Sequence, residues 1–204
     1  MKHHLRLTLC SFVICLLSFS LTIKAQKKPE FFLPASAFDS ATAYKMLEEG
    51  TNTIQGRISL KKRGYVNYPG FKEKVLLFPV TQHLLEYLEL QKKYNSKTKQ
   101  AAMTKEASMA RIETKTIDSK GNFVFTDLKP GKYYIVSLVI WEKVTSSQVV
   151  SGPTVANRNI YGVQIGAGYT PTETQYDATA HEREVGDFVE ITGDGKVVTV
   201  TIAK

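Results

Sequence analysis

Apolar and polar residues alternate most cleanly between Thr116 and Trp141, TIDSKGNFVFTDLKPGKYYIVSLVIW. Phe123 and Phe125 fall on one face of a short strand. After the turn dipeptide Pro130-Gly131, Tyr133, Ile135, Ser137, Val139 and Trp141 share one face of a second strand. Tyr134, Val136, Leu138 and Ile140 share the other. A strand that is apolar on both faces is buried on both, so this segment is expected at the centre of a sheet with a layer on either side. Asp118 to Gly121 supplies the turn before it, and the two strands read as a central hairpin.

The flanking pattern is also mainly that of strands. Thr51 to Leu60, with Ile54, Ile58 and Leu60 in phase, and Val75 to Val80 are strands, the second with Pro79 at its exit. Arg111 to Ile117 alternates. Glu142 to Val150 is expected to continue as a strand, and Ile160 to Ile165 reads as another. Phe188 to Thr192 and Lys196 to Ile202 flank Gly193-Asp194-Gly195, a hairpin signal. Two stretches have helical periodicity instead. Ser36 to Glu49 is a helix capped by Ser36 or Asp39 and ended by Gly50. Thr81 to Tyr94 sets Leu84, Tyr87, Leu88 and Tyr94 on one face, and is followed by the polar SKTKQAAMTKEASMA, a second helix or a loop. This basic insert, at about 82–110, is expected to cover the outer apolar face of Tyr134, Val136, Leu138 and Ile140, since an open patch of that size would be a partner or aggregation site.

The N-terminus changes the compartment. Lys2 and Arg6 precede an apolar run from Leu7 to Ile23, and Ala25 offers a cleavage point. That is the form of a secretory signal over 1–25, and the membrane is met only through this segment if it stays uncleaved. Cleavage leaves 179 of the 204 residues, a leader and helix over 26–50 and one domain over 51–204. It removes Cys10 and Cys15, so the remaining chain forms no disulfide and depends on its core. Losing Lys2, Arg6 and Lys24 lowers the net charge from +8 to +5. For an exported chain that mild excess reads first as a solvated basic face, and otherwise points to an envelope protein or an acidic polysaccharide and not to nucleic acid.

GNFVFTDLKPGKYYIV resembles the G-x-F-x-F-x-x-L-x-P-G-x-Y-x-V signature of carboxypeptidase regulatory-like domains, which are prealbumin-like (transthyretin-like) and related in form to Cna-B repeats. Gly121, Phe123, Phe125, Leu128, Pro130, Gly131, Tyr133 and Ile135 fill its positions, with Ile in place of Val at the last. TIQGRISL and KVLLFPVT resemble the family's first two strands. The resemblance implies an all-β, prealbumin-like antiparallel β-sandwich of about seven strands, with the N-terminal helix and the helical insertion added to it. It implies no catalytic residues.

The residues themselves offer little reactive chemistry. After the signal only His83 and His181 remain, with no H-x-H and no HExxH, so no cofactor or metal is expected. The cluster His181, Glu182, Glu184 and Asp187 is the one set that a metal-dependent hydrolase would use, and it otherwise reads as a solvated loop. No G-x-S-x-G is present. Gly162, Gly166 and Gly168 lack the lysine of a phosphate loop. The ending TVTIAK differs from the tail of the hydroxyisourate hydrolases, two isolated histidines do not make the iron site of intradiol dioxygenases, and the closing strand has no Asn for an isopeptide crosslink. Tyr161, Tyr169 and Tyr176, with Asn157, Asn159, Gln164, Gln175 and Asp177, are residue types that bind sugars by ring stacking and hydroxyl hydrogen bonds. The alternative is a long loop whose tyrosines pack down on the sandwich. The sequence therefore reads as a non-catalytic, exported β-sandwich of the bacterial cell envelope, periplasmic or secreted, acting in binding or structural support. The carbohydrate-binding and hydrolase readings are the alternatives.

Overall fold

The computed structural model describes residues 28–62 and 64–204. The expected signal and its cleavage point lie outside them. Strands β1 (Glu30–Phe32), β2 (Asn52–Lys62), β3 (Tyr65–Asn67), β4 (Lys74–Pro79), β5 (Lys99–Ala101), β6 (Ile112–Lys115), β7 (Asn122–Leu128), β8 (Gly131–Val150), β9 (Thr172–Ile191) and β10 (Val197–Ala203) alternate with helices α1 (Ser40–Met46), α2 (Gln82–Lys93) and α3 (Lys105–Met109). The chain is an all-β sandwich. In one sheet β2 carries β10 on one edge and pairs antiparallel with β7 and then β3, and the other sheet runs β6-β4-β8-β9. The core between them is Ile54, Ile58, Leu60, Phe123, Phe125, Leu128 and Ile202 from the first sheet, facing Val75, Leu77, Tyr133, Ile135, Val139, Val185, Val189 and Ile191 from the second.

Two expected hairpins are instead crossings between the sheets. β7 pairs with β2 while β8 pairs with β4 and β9, so the Pro130-Gly131 turn carries the chain from one layer to the other. Likewise β9 stays in the second sheet, and β10 runs parallel to β2 across Val197↔Thr53 to Ala203↔Ser59. The turn residues were legible, but turn chemistry does not fix which edge the next strand joins. Val198, Val200 and Ile202 place one apolar face against the core only on the sheet that holds β2. Buried Asn52 secures this corner. Its Nδ2 donates to Leu128 O at 2.8 Å, and its Oδ1 accepts from the Lys196 amide at 2.8 Å. Tyr133 secures the other, its single hydroxyl proton shared between Lys129 O at 2.8 Å and Met46 O at 3.1 Å.

Helix α2 begins where Thr81 Oγ1 accepts from the Leu84 amide, an N-cap. It lies beside the outer face of β8 and β9. Gln91 Nε2 donates to Glu184 Oε2 at 2.6 Å, and Leu85, Leu88, Tyr134, Gly186 and Phe188 line the seam between helix and sheet. The cover stops short of Ile140, which is 53% exposed. The stretch after α2 forms β5 and α3. β5 pairs parallel with β1 of the leader, where Phe32 stacks on Tyr94 with centroids 3.8 Å apart. The N-terminal helix is shorter than expected, Ser40–Met46, because Asp39 is the cap that accepts from the Thr42 amide.

Beyond the sandwich, β8 and β9 continue as a two-stranded ribbon. β4 accompanies β8 only as far as Ser137, yet β8 and β9 stay in register to Val150↔Thr172. The segment expected as a separate strand at Ile160–Ile165 is the turn at the end of this arm, closed by the bridges Val155↔Tyr169 and Arg158↔Gln164.

Candidate functional site

The site begins with register. The apolar alternation of β8 ends at Trp141, the chain's one tryptophan. Trp141 lies opposite His181 on β9, and the two rings stack with centroids 5.5 Å apart and planes 18° from parallel. The base of the arm thus carries an aromatic pair on the side that continues the core face. Trp141 packs partly against the core beneath it.

The opposite wall comes from the end of β2. β7 pairs with β2 only up to Arg57, and Leu60, Lys61 and Lys62 then pair with Asn67, Val66 and Tyr65 of β3. Gly64, at φ +87, closes this tight turn in the left-handed region that glycine enters freely. The hairpin stands beside the arm. Between them is a cleft of about 770 Å³ whose lining includes Lys62, Tyr65, Asn67, Trp141, Lys143 and His181, together with Glu142 and two valines. Lys62 Nζ lies 5.8 Å from the Trp141 ring centroid, a cation–π placement. Tyr65 is 76% exposed. Aromatic walls with a few polar groups between them suit a small ligand that has both apolar and hydroxylated faces. Two lysines against one glutamate bias the lining towards an anionic one.

A second hollow of about 840 Å³ lies between α2, the leader and β9. Tyr134 lines it, and Tyr87 of α2 lies near Tyr134 in the same packing seam. Burial first, and the Glu184 carboxylate second, push the Tyr87 phenol up. Burial, then Glu184, Asp187 and Tyr87, push Tyr134 up to about 12. These phenols stay neutral and help seat the helix. Nearby His83 is buried, with Nδ1 2.8 Å from Ser36 O, and ties the leader to the helix.

The residues singled out in the sequence are dispersed. Tyr161 sits at the turn of the arm, Tyr169 pairs with Val155, and Tyr176 lies opposite Ser146 on the ribbon. Seven residues of extended chain put Tyr169 and Tyr176 roughly 20 Å apart, so the three do not form one stacking platform. They do not pack down on the sandwich either, being 88%, 66% and 72% exposed. Asn159 is occupied in the turn, its Oδ1 accepting from the amides of Tyr161 and Val163. Gln175 Nε2 donates to Asp177 Oδ1 at 3.3 Å.

The hydrolase cluster is divided by strand geometry. His181, Glu182 and Glu184 lie on β9 and not on a loop. The period of two turns His181 towards Trp141 and sends Glu182 and Glu184 to the other face, so one ion does not reach them together. Among the described residues no group of three His, Cys, Asp or Glu side chains is placed to hold a metal ion. Sequence reasoning missed the hairpin wall, because Tyr65 lies in a stretch that reads as a loop. The available signal for Trp141 was its position, a large aromatic at the point where apolar alternation stops.

No family model matches the chain, and no curated protein matches it. Among solved structures, a protein of Pseudomonas aeruginosa described as a candidate carbohydrate-binding protein superposes with a TM-score of 0.54 at 19% identity. The match covers 85% of this chain and 100% of that one. At that identity the likeness speaks to the shared sandwich alone.

Proposed function

We propose that this chain is a non-catalytic carbohydrate-binding module of the bacterial cell envelope, exported by its N-terminal segment, with the ligand held in the cleft between the β2–β3 hairpin and the base of the arm. The sandwich is of the prealbumin-like kind that the carboxypeptidase regulatory-like signature implies. The observation that carries the reading is the stacked Trp141–His181 pair facing an exposed Tyr65 across an open cleft. A sugar ring lays its C–H face on Tyr65 and His181 and turns its hydroxyls to Asn67 and the lysines.

Because Trp141 is the sole tryptophan, its emission reports the cleft directly. Titration with envelope glycans is expected to shift that emission, with acidic polymers ahead of neutral ones. Tyr65→Ala and His181→Ala are expected to lose binding while a Tyr161, Tyr169, Tyr176 triple-alanine variant keeps it. Loss in the triple variant with binding intact in Tyr65→Ala would move the site to the arm. No response to any glycan would remove the carbohydrate reading.

A further inference from the structure

The far end of the arm has a chemistry that the cleft does not use. From Val144 to Thr172 the one charged side chain is Arg158, in a chain of which 23% of residues are charged. At the turn Ile160 is 93% exposed, and Tyr161, Val163, Ile165, Val155 and Tyr169 are exposed around it. Among the described residues no second layer covers these side chains.

The backbone of the same turn is paired internally. The Asn159 amide donates to Val163 O at 2.8 Å, Gly162 to Asn159 O at 2.9 Å and Ile165 to Asn157 O at 2.7 Å. Asn159 Oδ1 accepts from the amides of Tyr161 and Val163, both at 3.0 Å. Arg158 Nη1 donates to Gly162 O at 2.7 Å. Backbone groups paired in this way can leave water without being stranded, which a turn entering an apolar medium requires. Here the polar groups are turned inward on one another and the apolar side chains outward. A protein groove would be matched by hydrogen bonds of fixed direction, and this tip presents few. Tyrosine rings suit the boundary between headgroups and acyl chains, and the remaining donors of Arg158 suit an anionic headgroup.

We propose that the tip of the arm, led by Ile160 and Tyr161 with Val163 and Ile165 behind them, inserts shallowly into a lipid surface. The ribbon from Trp141 to Val150 then holds the cleft roughly 30 Å away from the lipid. This goes beyond carbohydrate binding and stands independently of it.

The test uses the full chain with vesicles of phosphatidylcholine and phosphatidylglycerol whose acyl chains carry bromine, a short-range quencher. The apolar stretch Leu7 to Ile23 is common to every variant, so vesicle binding alone is not the readout. A tryptophan is placed at the tip by Tyr161→Trp and on the hairpin by Tyr65→Trp, and the Trp141 spectrum of the parent chain is subtracted. Expected is a blue shift and loss of emission for Tyr161→Trp, with neither for Tyr65→Trp. Adding Ile160→Asp and Val163→Asp to Tyr161→Trp is expected to abolish both changes. Emission at the tip that is unquenched, quenched no more than at Tyr65, or still quenched in the aspartate variant would overturn the proposal. A blue shift that grows with protein concentration without lipid would assign the tip to a second copy of this chain, and would overturn it too.

Discussion

The two halves of the β8–β9 ladder share one register and differ in everything around it. Up to Val139, β8 has the opposing sheet beneath it, β4 along its other edge from Tyr133 to Ser137, and α2 beside part of its outer face. From Trp141 to Val150 its ladder partner among the described strands is β9, and only its base meets the core and the β2–β3 hairpin. The first half reads GKYYIVSLVI and the second WEKVTSSQVV. Backbone pairing is therefore no measure of burial. The second half persists through cross-strand contacts, such as Gln148 Nε2 to Thr174 Oγ1 at 2.8 Å and the Trp141–His181 stack. A free two-stranded ribbon is marginal in water, and this one is anchored by the sheet that it leaves.

The sharpest way to break the comparison is truncation on either side of the boundary. Ile135→Ala, at a fully buried position, is expected to cost about 2–5 kcal/mol. Val144→Ala, on the exposed ribbon, is expected to stay within about 0.5 kcal/mol. Urea denaturation of both variants checks this. Similar losses would mean that the arm is packed in solution and that the two halves are one environment.

Next in size is a change that adds atoms. A Cβ on Gly186 would stand 2.6 Å from Ile135 O and 2.6 Å from the Tyr134 hydroxyl. The carbonyl belongs to the ladder and does not move aside, so Gly186→Ala is expected to cost about 1–3 kcal/mol. A thermal midpoint equal to that of the parent chain would show that the inner half is looser than its close approach implies.

A smaller effect follows from the phenol beside that glycine. Tyr134 titrates at about 12, against an ordinary value of 10.0. Its raised value means that the folded state favours the neutral form. The stability it contributes is complete below pH 10 and is lost as pH rises from 10 through about 12. Tyr134→Phe is therefore expected to flatten the alkaline limb of stability against pH, leaving the part due to Tyr87 and Tyr133, whose phenols are also raised. Superimposable alkaline limbs for the two proteins would remove the desolvated seam under α2.

The inner half was legible in the sequence because burial writes itself as apolar alternation. Tyr133, Ile135, Ser137 and Val139 face the core as the period of two requires, and Tyr134 and Leu138 were recognisable as a second apolar face needing cover. The arm was legible only in part. Glu142 to Val150 was expected as a strand and is one, but Thr, Ser and Gln on a ribbon that meets only its partner give no apolar face, so neither the pairing strand from Thr172 nor the turn between them was foreseen. Sheet assignment failed at Pro130-Gly131 and at Gly193 to Gly195 because a turn and a crossing use the same residues. At the cleft, Trp141 was placed on the correct face, but its partner His181 was grouped with Glu182 and Glu184 by nearness in sequence. Only knowledge that the segment is a strand separates them.

A small effect on stability is also expected from the largest change to the chain. Glu142 and Ala180 form a cross-strand pair, so Lys143 to Thr179 can be replaced by Asn-Gly, a two-residue turn suited to that geometry. The arm lends no residue to the core beyond its base, and its removal is expected to change the unfolding free energy by no more than about 1 kcal/mol. The denaturant dependence, which follows the surface exposed on unfolding, is expected to fall only slightly, because the arm buries little. Trp141, His181, Tyr65 and Lys62 remain, so Trp141 emission is expected to respond to glycan as before, if more weakly for want of Lys143. These readouts divide the molecule at the point where its environment changes. A large drop in stability would show that the ribbon is part of the folding unit, while stability retained with glycan response abolished would place the ligand on the arm.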